Sequence, residues 1–383
     1  MSLRIAHLNT MLKGGGTDDQ CVKLAWGLRQ LGHDACVIGP PEREFSKVVR
    51  QLDVPLRATP SEGLMKLRFI ASAARFIRRD RSQIVHGHHG RDIWPTILAA
   101  RLSGVSPKIV LSRHLAKSPG SWFSKRFMLG QCDAVIAVSE FVANVLKHGA
   151  YEPSSPEVER HVRPPVMGDY GKIHVIHGGI DTARFKPAAS PALRKEWGLE
   201  PSNYAFVVAG GYDLPRGKGQ REFLAAAALI HNAVPHARFL IVGRGSMRDI
   251  LLSDIQRLGL QDKAWLAPYC QDMPAAMNAM DCLVHPQIGT EAFPLVICEA
   301  LACGTPVIAS DIDGIPEAFA ITGQGALVPP EDVPALAAAM QKWANQPAPS
   351  LAERAILNRK VEEKVSLSII SRQTESLYRQ LFK

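Results

Sequence analysis

Short apolar runs alternate along this chain with segments whose apolar positions recur every three or four residues. Arg4–Leu8 reads as a strand, 17–31 as an amphipathic helix and 35–38 as the next strand. Further strands are expected at 84–87, 108–112, 134–138 and 173–176, with helices such as 94–102 between them. Ser139 followed by Glu140 reads as a helix cap with an acid in the first turn. The 151–171 stretch holds four prolines and little periodicity, which predicts an exposed loop. A second run of strands follows at 204–209, 238–242, 263–266, 282–285, 306–310 and 326–328. Strand–helix alternation of this kind gives an α/β fold with parallel, doubly wound sheets. The pattern divides into 1–185 and 186–360, followed by a last helix over 356–382 with no strand after it. That segment, 361–383, is expected to cross back to the first half. Ligands of open parallel sheets bind beyond the carboxyl ends of the strands, so the two halves are expected to face one central cleft.

Length and composition narrow the class. A chain of 383 residues exceeds one ordinary core, which agrees with two domains. No apolar run approaches the ~18 residues that a membrane-crossing helix needs. The first residues enter a strand and lack the apolar core of a secretory signal, so a cytoplasmic location is expected. Seven cysteines lie scattered without a Cys-x-x-Cys pair and read as buried thiols. The net charge of +9 favours acidic partners: nucleic acid, a phosphorylated substrate or an anionic membrane surface. No nucleic-acid-binding signature is present, so nucleic acid is not an expected partner. Residues 66–79 place Phe69, Ala73, Phe76 and Ile77 at helical spacing beside basic residues. Such a helix suits either anionic lipid or a core with a solvated basic face.

The most informative chemistry lies at 289–310. Pro294 suits the first helical position, and Leu295, Val296, Ile297, Ala300 and Leu301 carry an apolar face to Gly304. Free N–H groups at a helix start attract phosphate. At about 1.5 Å rise per residue, Glu291 and Glu299 stand roughly 12 Å apart, the length of a nucleotide diphosphate-sugar. Glu291 is then expected to meet the sugar, the turn of Phe293, Pro294, Leu295 and Val296 the diphosphate, and Glu299 the ribose. The plain alternative is two acids facing water.

Lys13–Asp18 and Gly210–Gly219 are glycine loops between a strand and a helix, where backbone approaches a ligand closely. The second brings Arg216 and Lys218 toward a departing diphosphate; a solvated basic turn is its alternative. Gly243 marks another turn after a strand, and 263–269 a strand edge suited to a nucleotide base. In His86-Gly-His-His89, strand spacing puts His86 and His88 on one face and His89 on the other. No cysteine or carboxylate set completes a zinc site there, so no metal is expected, and His88 and His89 are assigned to an acceptor. Arg113 and His114 end another strand, suited to an anion and to a sugar hydroxyl or the diphosphate. A structural role stays open for each histidine.

These segments together resemble the retaining nucleotide-sugar glycosyltransferases of family 4. The resemblance runs through the Gly15–Asp18 loop, Arg113-His114, Asp133–Ser139, Val175–Pro187, Lys218-Gly219, Ile241–Gly243 and the Glu291/Glu299 pair. It implies the GT-B fold of two Rossmann-like domains, donor bound mainly by the second domain, and transfer with retention and without a metal or other cofactor. It assigns catalysis to Glu291, His114 and Lys218, and places Gly15 and Gly16 at the reaction centre. Arg216, Lys218, Gly243 and the turn to Glu299 fall to the donor, for which UDP is the expected nucleotide; Arg113, His88 and His89 fall to the acceptor. The expected acceptor is a glycan or lipid-linked glycan of lipopolysaccharide or another surface polysaccharide, with an anionic inner-membrane surface a possible partner. The chain departs from the family at Gly210-Gly-Tyr, where Gly-Arg is usual, at Glu-Ala-Phe-Pro, and at Asp18, where glutamate is common. No second carboxylate presents itself as a nucleophile, which favours front-face substitution. The rival readings are an epimerase, a phosphorylase (although no pyridoxal-phosphate lysine was located) and a non-catalytic binding protein.

Overall fold

The computed structural model describes residues 2–383 except 42, 44, 60–64, 150–163 and 269. Most of the proline-rich stretch and position 269 of the proposed base-binding edge thus lie outside the described residues. Contacts divide the chain into two units. Of the described residues, one takes those up to 149, 164–179 and Val365–Lys383, and the other takes Ile180–Lys364. Patterning had drawn these lines at 185/186 and 360/361.

The first unit alternates β1 (Arg4–Leu8), α1 (Gly16–Gln30), β2 (Asp34–Gly39), α2 (Phe45–Gln51), β3 (Leu56–Ala58), α3 (Met65–Arg79), β4 (Ile84–Gly87), α4 (Ile93–Ser103), β5 (Lys108–Arg113), α5 (Trp122–Gln131), β6 (Ala134–Ala137), α6 (Glu140–His148) and β7 (Ile173–Val175). Its seven parallel strands order as β3-β2-β1-β4-β5-β6-β7, with Ile5 of β1 opposite both Ala35 and Ile84. The inner strands are buried on both faces, which explains why they read as continuous apolar runs. Ser139 caps α6 by accepting the Val142 N–H. The edge strand β3, three residues of which two are half-buried and one exposed, is too short for its pattern to be read. Phe69, Ala73 and Ile77 of α3 are buried, so this helix spends its apolar face on the core.

The second unit comprises α7 (Pro191–Glu196), β8 (Tyr204–Ala209), α8 (Gln220–Ile230), β9 (Ala237–Val242), α9 (Arg248–Arg257), β10 (Ala264–Ala267), α10 (Met273–Ala279), β11 (Cys282–His285), α11 (Leu295–Ala302), β12 (Val307–Ser310), α12 (Ile315–Phe319), β13 (Gly325–Val328), α13 (Val333–Ala344) and α14 (Leu351–Val365). Its parallel strands order as β10-β9-β8-β11-β12-β13, the same winding as the first sheet. Phe206, Phe223 and Phe239 centre a core between sheet and helices. The strand order of each sheet reverses beside its first strand, at β1/β4 and at β8/β11, the point at which open α/β sheets bind their ligands.

The single last helix expected over 356–382 is two. Ser366 (φ −61°, ψ 150°) breaks it, and its hydroxyl accepts the Ile369 N–H to start α15 (Leu367–Gln380). This helix belongs to the first unit and lies close on α1, where a Cβ on Gly27 would stand 2.1 Å from Ser371 Oγ. All seven cysteines are free thiols, six of them buried.

Candidate active site

In the second unit the loops after β8 and β11 interlock. Gly219 has φ 83°, and a Cβ there would fall 1.9 Å from the Pro286 carbonyl oxygen, so only glycine lets the two loops meet. Gly243 is bare for a similar reason, since its Cβ would stand 2.0 Å from the Gly210 carbonyl. The interlock sets Lys218 Nζ 2.8 Å from Glu291 Oε2. Glu291 is further fixed by its Oε1, which accepts the Ala292 N–H, and by its own N–H, which donates to Asp313 Oδ2. His285, at the end of β11, approaches the same carboxylate to 4.0 Å. Burial pushes its imidazole down to about 4, so it stands neutral beside the ion pair. His285, a polar residue closing the apolar run Cys282–Val284, is a site residue that patterning marks only as the end of a strand.

The turn into α11 differs by one residue from expectation. Pro294 (φ −77°, ψ 102°) occupies the cap and Leu295 begins the helix, because ψ has not yet turned helical. No side chain caps this start, leaving first-turn amides to another partner. Phe293 and Pro294 are buried, Leu295 and Val296 half-buried, and Glu299 lies half-buried in the second turn. Gly304 closes the helix at φ 73°. Arg216 Nη1 lies 3.6 Å from Glu331 Oε1. The unit thus brings Lys218 to Glu291 and, through Gly210, sets both beside the Gly243 turn; Arg216 pairs with Glu331 beyond β13, and Glu299 lies one turn into α11.

In the first unit, Gly15 (φ 100°) caps α1 and Gly16 begins it. Asp18, buried inside the loop, accepts from Gly14 N–H (2.9 Å) and Asn9 Nδ2 (2.8 Å) and pairs with His89 Nε2 (2.6 Å). Burial alone would raise this carboxyl; the bonds from His89, Asn9 and Gly14 outweigh it and hold it below its usual value. Asn9 and Asp92, which accepts from Thr10 and from the His89 N–H, complete the frame. Neither was singled out from sequence, since only the fold brings β1, α1 and the β4 end together.

Arg113 is buried, donates Nη2 to the Lys117 carbonyl (2.8 Å), and leaves Nε without a partner. Burial lowers its guanidinium to about 10, and no carboxylate among the described residues pairs with it. His114 is half-buried; burial first, then His89 and Arg113, push it down to about 3. His88 lies beneath the surface, its Nε2 2.9 Å from His7 Nδ1. It lines a cavity with Gln20, Ser112, His114 and His177. His89 is the more exposed of the two histidines assigned to an acceptor.

From β1, His7 adds a third imidazole beside His86 and His88. His7, His86 and His88 have ligand atoms within 4.8 Å of one another. His86 already bonds Tyr378 Oη through Nδ1 (2.6 Å) and Ser112 Oγ through Nε2 (2.8 Å). Holding an ion there would cost one of these bonds. Burial keeps all three rings neutral.

Two family models match: Glycosyltransferase Family 4 over residues 14–184 and Glycosyl transferases group 1 over 203–346. The chain is 34% identical over 174 residues to a D-inositol 3-phosphate glycosyltransferase of Segniliparus rotundus, covering 44% of this chain and 38% of that protein. It is 26% identical over 316 residues to a phosphatidyl-myo-inositol mannosyltransferase of Propionibacterium freudenreichii subsp. shermanii, covering 78% and 74%. Against these relatives the chain spans as little as two fifths of the partner's length. Among solved structures it resembles Anabaena Alr3699/HepE in complex with UDP and glucose, with a TM-score of 0.79 at 20% identity over 99% of this chain and 100% of that one. That likeness establishes the GT-B fold.

Proposed function

The chain belongs to the family 4 glycosyltransferases, and on that premise we propose that it moves a sugar from a nucleotide diphosphate-sugar, with retention, to a phosphate-bearing acceptor. The observation that carries the donor half is the Lys218–Glu291 pair beside the uncapped start of α11. Both partners are partly exposed, so an incoming diphosphate can draw Lys218 away and leave Glu291 to the sugar hydroxyls. Lys218, Arg216 and the α11 amides then carry the charge that develops on the leaving diphosphate, and Glu299 holds the ribose. On this reading the cations do the work of a metal and none is required. The leaving phosphate takes the acceptor proton in a front-face substitution; His114, which burial keeps neutral, and His89 position hydroxyls.

The acceptor half rests on Arg113. A buried guanidinium without a carboxylate is stabilised by an anion, and a phosphate on the acceptor supplies one. The names of the two relatives carry such a group, an inositol phosphate and a phosphatidylinositol; a lipid-linked precursor of a surface glycan has the same chemistry.

The test incubates the protein with a panel of nucleotide sugars, UDP-sugars first, with and without EDTA, and follows nucleotide release and the anomeric configuration of the product. An inverted product sinks retention, and loss of activity in EDTA sinks the metal-free reading. Epimerised donor with no transfer sinks the whole assignment. For the acceptor, Arg113→Gln should raise KM for phosphorylated acceptors alone; an equal effect on unphosphorylated ones would remove the anion role.

A further inference from the structure

From Ile93 to Cys132 the chain carries six Lys and Arg and no Asp or Glu. Within this stretch two helices turn large apolar side chains to solvent. On α5, Trp122 is 69% exposed, Phe123 51% and Phe127 36%, whereas Ser124, Met128 and Leu129 are buried. At about 100° per residue, positions 122, 123, 126, 127 and 130 fall within an arc of roughly 140°, so the exposed residues form one face. Its rings are joined: Trp122 to Phe127 at 5.8 Å, Phe127 to Phe123 at 4.9 Å, Phe123 to Trp94 at 4.6 Å. From Trp94 the strip continues along α4, four residues at a time, through Leu98 (44%) and Leu102 (61%). Exposed Arg101 and Arg126 lie on the same two helices, with the Arg126 guanidinium 5.3 Å from the centre of the Phe127 ring, and exposed Lys117 lies in the loop that leads into α5.

We propose that this aromatic face of α4 and α5 seats the protein on an anionic lipid bilayer. Scattered exposed apolar residues are ordinary, but a connected strip of this length is not. Its composition selects the occupant. Amphipathic Trp and flanking Lys and Arg sit together at the headgroup level of a bilayer, and the absence of acids removes the repulsion that lipid phosphates would otherwise meet. A soluble surface mixes both charge signs, which this stretch does not. On α3, by contrast, Phe69, Ile70, Ala73 and Ile77 are spent on the core, and Leu67 (69%) is the one large apolar residue among its described side chains that is exposed, which makes no strip. The inference goes beyond the sugar-transfer reading and is read without turnover.

The experiment sediments the full chain with phosphatidylglycerol-containing vesicles and with phosphatidylcholine vesicles. Expected are binding to the first, release by high salt, and a blue shift of Trp122 emission on binding. The pair Trp122→Ser and Phe127→Ser, and separately Lys117→Glu with Arg126→Glu, should each weaken partitioning by about tenfold or more. Nucleotide-sugar affinity should be unchanged in both, which separates this failure from failure of the donor site. Arg68→Glu with Arg75→Glu on α3 should matter less. Absence of vesicle binding at low salt would overturn the proposal, as would binding indifferent to the α5 variants or lost chiefly on changing α3. A wild-type dimer that Trp122→Ser and Phe127→Ser split into monomers would assign the face to a second copy instead.

Discussion

Two glycine loops hold the same place in the two units, after the first strand of each sheet and before the next helix, yet their charges are opposed. In the first, the Gly14 amide is already taken by the Asp18 carboxylate, which Asn9 and His89 hold in place. The loop supplies its own anion. In the second, Lys218 and Arg216 reach outward, and their acidic partners, Glu291 and Glu331, come from distant segments in half-exposed pairs that a ligand can displace. Strand order reverses at the same point in both, but the second loop brings two cations, Lys218 and Arg216, against the single Lys13 of the first. The winding sets where a ligand lies; loop charge sets which ligand it is.

Acid should separate the units most. His7 and His114 in the first are pushed to about 3, with His86 and His88 also well below their usual value; the second has His285 at about 4. These lowered values mean that the fold keeps the imidazoles neutral while the unfolded chain protonates below about 6.5, so stability falls as pH drops through that value. Between pH 6.5 and 5 each such ring forfeits about 1.6 kcal/mol, so His7 and His114 alone cost the first unit roughly 3 kcal/mol. Hydrogen exchange at pH 7 and pH 5 should show β4 and β5 losing protection before β11. Equal losses would mean that the histidine cluster does not govern the difference.

Next comes the donor loop. Lys218→Ala should lower kcat by about 10²–10³, the usual loss on removing one group that stabilises developing charge. Glu291→Ala should abolish transfer. Because the pair is partly exposed, melting temperatures should move little. If Lys13→Ala, in the first loop, impaired donor binding as much as Lys218→Ala, the contrast between the loops would be lost.

How far these features were legible depends on sequence distance. Both sheets could be read because every strand but the short edge strand β3 announces itself locally, and Arg4–Leu8, Ile84–Gly87, Tyr204–Ala209 and Cys282–His285 fall where patterning puts them. The spacing of Glu291 and Glu299 around a helix start was equally local. Asp18 was noted only as a departure from the family, because its partners Asn9 and His89 join it through the fold. His7 meets His86 and His88 across the β1/β4 pairing, a neighbour that no local window contains. The aromatic face of α5 went unread because exposure, not residue type, distinguishes it from a core helix.

Asp18→Asn tests the first loop directly. A buried carboxylate with three bonds should cost about 1–3 kcal/mol when neutralised. Its folded value is depressed, so the stability it adds is present above the ordinary carboxylate range and disappears as pH falls through the folded value. Urea melts should therefore show wild type and variant apart at pH 7 and converging in strong acid. A gap unchanged by acid would mean that the charge is not what closes the loop.

The smallest effect should come from Gly15→Ala. Gly15 sits at φ 100°, where an L-residue is strained, but a Cβ there meets nothing within 4 Å. The cost is conformational alone, about 1–2 kcal/mol, and space above the loop remains. Gly219→Ala would add a collision with the Pro286 carbonyl to its own positive φ and should disturb the second loop far more. The two alanines therefore ask whether each loop is glycine for freedom or for closeness. A Gly15→Ala protein with normal stability and lost transfer would show that open space to be where a substrate lies; normal transfer would leave the first loop as a frame for Asp18 and nothing more.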